Sequence, residues 1–148
     1  MSLFWIMLLA LGGGALLAVQ AALNAMMSAG VGNPFWGALF AVVTGTAIAA
    51  PFFLLAGGAA PKLQTLSAVP IWAWLGGACG SAYVFLVILA APRVGAATTM
   101  ALVIAGQTLG ALMLDHFGLL GFPTHPAGPA RIIGAALLIG GAALIRFF

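Results

Sequence analysis

The chain has 148 residues, 65% of them hydrophobic and 3% charged, with a mean hydropathy of +1.28 and a formal net charge of +3. That composition lacks the polar area a soluble globular domain needs at its surface, so the chain reads as an all-α membrane protein. Its charged residues, Lys62, Arg93, Asp115, Arg131 and Arg146, are scattered singly, which excludes the clustered basic surface that nucleic-acid binding requires.

A spanning helix takes about 20 apolar residues, so the length predicts five transmembrane helices forming one membrane domain over residues 1–148, with no separate soluble domain. The first span, 3–27, has no basic segment before it and is longer than a signal-peptide core. It carries Gln20 and Asn24 ahead of the small residues Ser28, Ala29 and Gly30, and reads as a retained helix. Asn33 and Pro34 predict the start of the second span, 34–56: an N-cap residue followed by proline at the first helical position. Gly57 and Gly58 predict its end, and Pro51 predicts a local kink because it removes a backbone donor.

The third span, 70–91, starts at Pro70 and is expected to stop before Pro92, with Arg93 marking the turn. The lone cysteine, Cys79, lies within it; with no second cysteine to pair, it reads as packing. The fourth span, 94–114, runs into Asp115-His116-Phe117-Gly118, polar and glycine residues suited to a helix end at the headgroups. A loop rich in glycine and proline, 121–129, leads to the short fifth span, 130–148, whose Arg131 and Arg146 can snorkel from either end. Trp5, Trp36, Trp72 and Trp74 all fall in first turns, where amphipathic rings prefer the membrane interface. Small residues recur at spacings that allow close helix contact: Gly76 and Gly80, Gly106 and Gly110, Gly134 and Gly141.

An odd number of spans puts Lys62 and Arg131 on the amino-terminal side and Arg93 and Arg146 on the other. Orientation follows the excess of Lys and Arg in short loops, and here the two sides balance. The expectation is insertion in both orientations and packing of two opposed copies as an antiparallel homodimer in the lipid bilayer. Such a pair recreates with two chains the inverted repeat that many secondary transporters carry in one, and its in-plane two-fold axis favours alternating access.

The segment from Pro70 to Gly77, continuing through Gly80, Ser81, Ala82, Tyr83 and Val84, resembles the third helix of the YdcZ-type family of inner-membrane exporters in the drug/metabolite transporter superfamily. Gly106-Gln107 followed by Asp115 to Gly121 resembles that family's fourth-helix signature, and Gln20 and Asn24 fit its first-helix pattern. The resemblance implies a small transporter in the bacterial inner (plasma) membrane, built as half of an inverted-repeat drug/metabolite transporter fold. It implies no particular substrate. In size the chain is also similar to the small multidrug exporters, but it lacks their membrane-embedded glutamate in the first helix, which argues against proton-coupled drug export by that mechanism.

Uncharged polar side chains stand out because hydrocarbon offers them no partner. Gln20 and Asn24, four residues apart, share one helix face. On the expected spans, Gln20 lies about 8 Å past the midplane and Gln107 about 5 Å from it on the amino-terminal side, at 1.5 Å rise per residue. Inverting a partner brings its Gln20 near the depth of Gln107, so a dimer would surround its centre with amides able to donate and accept. The structural alternative is helix-to-helix hydrogen bonding. Tyr83 either anchors the same site or packs, while Thr44, Thr46, Ser81, Thr98 and Thr99 more commonly bond to their own helix backbone. Asp115 and His116 suggest a proton relay; against it, Asp115 stands where the fourth helix reaches the headgroups and Arg131 is available on the same side.

These readings favour an exporter or exchanger of a small polar solute. The rivals are a dual-topology ion channel and a non-transporting membrane scaffold. No enzyme, metal site or cofactor is expected: there is no carboxylate pair and no nucleophile with a base, and His116 and His125 lie nine residues apart around a loop.

Overall fold

The computed structural model describes residues 2–57 and 60–148. Among them every regular element is helical: α1 (Leu3–Val31), α2 (Pro34–Ala56), the short α3 (Leu63–Ser67), α4 (Leu75–Val94), α5 (Ala96–Phe117) and α6 (Pro129–Phe147). A 3-10 turn over Ile71–Trp74 runs directly into α4, and together they form one span, Ile71–Val94. With α1, α2, α5 and α6 this gives five helices long and apolar enough to cross a membrane. Their large apolar side chains point outward, as with Leu54 and Leu55, because hydrocarbon removes the drive to bury them in a core.

The chain divides into two compact units, Met1–Pro92 and Arg93–Phe148. In the first, α1 and α2 form an antiparallel pair joined by only Gly32 and Asn33. Gly32 adopts the left-handed conformation at φ 73°, and its N–H donates to the carbonyls of Ser28 and Ala29, closing α1. Asn33 then opens α2: its Oδ1 accepts from the N–H groups of Phe35 at 2.9 Å and Trp36 at 3.4 Å, and Pro34 occupies the first helical position. Just beyond this turn the helices approach closely at Gly37, where an added Cβ would lie 2.5 Å from the Cα of Ser28. The rings of Phe35 and Phe85 stack at 4.7 Å and tie α2 to α4 near the same end.

In the second unit α5 and α6 pair along faces of small residues, with Thr98, Thr99 and Ala105 of α5 and Ala135 and Ala142 of α6 buried. The Thr99 hydroxyl donates back to the Gly95 carbonyl at 2.8 Å.

Several boundaries differ from the sequence expectation. α1 continues past Met27 to Val31, because Ser28, Ala29 and Gly30 do not break a membrane helix; Ser28 is instead the small residue against which Gly37 fits. Pro92 lies inside the last turn of α4, and the break falls at Gly95, whose φ of 89° and ψ of 154° form a conformation essentially reserved for glycine. α2 carries Pro51 in its interior and closes at Gly57, whose N–H donates to Phe53; Gly58, named with it as a stop, lies outside the described residues. Cys79 is exposed rather than packed. At Gly76, Gly80, Gly106, Gly110, Gly134 and Gly141 a Cβ would meet no atom within 4 Å among the described residues, so none of these glycines makes the close helix contact their spacing suggested.

Candidate functional site

Antiparallel helices of similar length place their midpoints at similar depth. In the first unit, Gln20 lies about 4.5 Å beyond the middle of α1, and Thr46, Ser81 and Tyr83 lie within about 3 Å of the middle of their own spans. These four polar residues meet. With Asn24, about 10 Å beyond the middle of α1, they line a cavity of about 380 Å³ between α1, α2 and α4. The remaining wall is small or aliphatic, with Gly45, Gly77 and Gly80 leaving the space that larger side chains would fill.

The helical register explains the convergence. Gln20 and Asn24 are one turn apart on α1; Ala41 and Gly45 repeat that spacing on α2, as Gly77, Gly80, Ser81 and Val84 do on α4. Thr46 donates its hydroxyl to Val42 O at 2.9 Å, so it offers the cavity only acceptor capacity. The Oη of Tyr83 is shielded from solvent and has no hydrogen-bond partner among the described residues. An unpaired polar atom in that position carries a desolvation cost of about 1–3 kcal/mol, which a bound hydrogen-bonding group would offset.

The structure thus brings together Gln20, Asn24 and Tyr83 from the sequence expectation. It adds Thr46, whose hydroxyl bonds its own helix backbone as sequence reasoning expected, and Ser81, for which the same use was expected. The available signal was depth: both stand near the centres of their spans. Gln107 belongs to the second unit, exposed near the midpoint of α5.

Asp115 and His116 stand in the last turn of α5, in a clasp with the following loop. The Arg131 guanidinium donates to Asp115 Oδ2 and to the His125 carbonyl, each at 3.2 Å. The His125 N–H donates to Asp115 O at 2.7 Å, and the Ala127 N–H donates to His116 Nδ1 at 3.1 Å. Gly118, at φ 61°, caps the helix and turns the chain into this loop. Both ionisable residues are therefore engaged in fixing the α5–α6 connection.

A family model described as "Putative inner membrane exporter, YdcZ" matches residues 5–144. The chain belongs to this family. It is also 43% identical over 83 residues to the inner membrane protein YdcZ of Escherichia coli strain K12. That match spans about half of each protein, 55% of this chain and 54% of the relative. No solved structure matches. Family membership and five apolar spans make the chain an integral protein of the inner membrane, in a family described as inner membrane exporters.

Proposed function

We propose that the chain exports or exchanges a small polar solute by alternating access, as an antiparallel dual-topology homodimer in which the single five-helix domain is half of an inverted repeat. The observation that carries this reading is the mid-depth cavity lined by Gln20, Asn24, Thr46, Ser81 and Tyr83, in a chain of an exporter family. Secondary transporters hold substrate near the bilayer midplane, where the two repeats meet. Inversion of a second copy brings its Gln20 within about 5 Å of the depth of Gln107, so amides from both chains would serve one central site. The balance of Lys62 and Arg131 against Arg93 and Arg146 supports insertion in both orientations.

Two measurements test the proposal. A Lys62→Cys substitution in a Cys79→Ala background is expected to be labelled by an impermeant maleimide from both sides of intact membranes; labelling from one side ends the antiparallel arrangement. In liposomes, solute flux is expected to saturate and to support exchange. Rapid, non-saturating, potential-driven flux identifies a channel instead, and wild-type behaviour of Gln20→Leu with Gln107→Leu favours a scaffold. Proton coupling through Asp115 and His116 predicts a current that needs a pH gradient and is lost in Asp115→Asn.

A further inference from the structure

Resting on the reading of this cavity as the solute site, we propose that the solute is an uncharged amphipath: a compact head that both donates and accepts hydrogen bonds, carried on an apolar body. The head is assigned by the lining. The polar residues that line the cavity are Gln20, Asn24, Thr46, Ser81 and Tyr83, and its lining holds no Asp, Glu, Lys, Arg or His. An ammonium, guanidinium or carboxylate head would be desolvated there without a counter-ion. A primary amide or an alcohol finds complementary partners in the carboxamides and gives the Tyr83 hydroxyl the partner it lacks.

The apolar body is assigned by a second cavity. A groove of about 700 Å³ runs between α1 and α2, walled by Leu16, Val19, Leu23, Met27 and Ile48. Gln20 and Asn24 line this groove as well as the polar cavity, so the two spaces meet at the amides. One molecule can therefore set its head among the polar groups and lay its chain along the groove. Leu16, Val19 and Leu23 are more than half exposed, which leaves the groove open along its side, toward hydrocarbon, for the body to enter.

The experiment uses the full chain in liposomes and n-octanamide bearing a terminal diazirine. Crosslinks are mapped by mass spectrometry, and protection is compared for n-octanamide, n-octylammonium and n-octanoate at equal membrane mole fraction. The expected result is crosslinking within 16–27 and 41–48. Octanamide should protect at a concentration about tenfold below either charged congener, and Gln20→Leu and Tyr83→Phe should each raise the protecting concentration about tenfold, the worth of roughly one hydrogen bond. Equal protection by a charged congener, or unchanged protection in both variants, overturns the uncharged head. Crosslinks spread evenly over α5 and α6 overturn the groove. Saturable, Gln20-dependent flux of a charged solute overturns the inference while the transport reading stands. Octanamide protection at these residues in a protein with no saturable flux sinks transport and leaves the ligand class intact.

Discussion

Gly37→Ala tests the helix crossing on which the cavity depends. A Cβ at this position would lie 2.5 Å from Ser28 Cα, 2.6 Å from Ser28 Cβ and 3.0 Å from Ser28 N, whereas ordinary van der Waals separation begins at 3.4 Å. The nearest obstruction is backbone, so no rotamer change relieves it, and α1 and α2 must part locally by about 0.9 Å, the gap between 2.5 and 3.4 Å. Overpacking of this kind costs about 1–3 kcal/mol, set against a helix-propensity gain of up to about 1 kcal/mol for Ala over Gly. The expected net is a loss of up to about 2 kcal/mol. Gly30→Ala is the internal control: the same chemical change in α1 with no atom within 4 Å of the new methyl, so only the propensity gain applies. Adding Ser28→Gly to Gly37→Ala relieves the clash with the Ser28 side chain but leaves the clash with its backbone, and restores only part of the loss. Unfolding in mixed micelles with increasing SDS, followed by circular dichroism, ranks the four proteins. If Gly37→Ala proves as stable as Gly30→Ala, the close crossing does not exist in the membrane and the cavity walls derived from it lose their support.

The other expectations are read in the same unfolding assay, with flux added where stated. Gly95→Ala forces a side chain into a glycine-only region and should cost about 1–3 kcal/mol; no loss would contradict the one-residue break between α4 and α5. Asn33→Ala leaves the N–H groups of Phe35 and Trp36 without their shared acceptor and should cost about 0.5–2 kcal/mol. Asp115→Asn combined with Arg131→Gln in a double-mutant cycle should give a coupling below about 1 kcal/mol, since the paired side chains remain 32% and 44% exposed; a much larger value would mark a buried pair. Tyr83→Phe removes an unpartnered shielded hydroxyl, so it should leave stability equal or slightly higher while lowering flux severalfold; loss of stability would mean the hydroxyl has a structural partner.

The five spans are legible in the sequence because apolar length and the absence of charge are averaged properties, insensitive to single neighbours. The α2 start was equally legible, since Asn33 and Pro34 act through local geometry. What composition misjudged were stops whose meaning depends on a neighbour. Ser28-Ala29-Gly30 resembles a break in isolation, yet in three dimensions its smallness admits Gly37. Pro92 falls in the final helical turn, so the turn passes to Gly95 instead. At the site, Gln20 and Asn24 were visible as a shared face because one helix defines them. Thr46 and Ser81 were not, because their approach to those amides depends on how α2 and α4 lie against α1. The pairing of Asp115 with Arg131 followed from topology alone, since both were expected on the same side of the membrane.

The close contacts of the first unit cluster toward one end of its helices. Ser28 against Gly37, and Phe35 against Phe85, all lie toward the α1 C-terminus and the α2 N-terminus. Toward the opposite end Gly12, Gly13, Gly14, Gly76 and Gly77 have no neighbouring atom within 4 Å of a Cβ among the described residues. These contacts tie the helices on one side of the cavity's depth. In the proposed antiparallel dimer, two identical copies in this same state would be related by the in-plane axis, and each face would then carry one end with these contacts and one without. Strict two-fold symmetry gives both faces the same access, so alternating access requires the two copies to differ at any instant and to exchange roles. The elements able to distinguish them are the Ser28–Gly37 crossing and the Phe35–Phe85 stack, because these tie the helices together at one end only. Substitutions there should therefore change the rate of exchange more than the affinity for solute, whereas substitutions at Gln20 or Tyr83 should do the reverse.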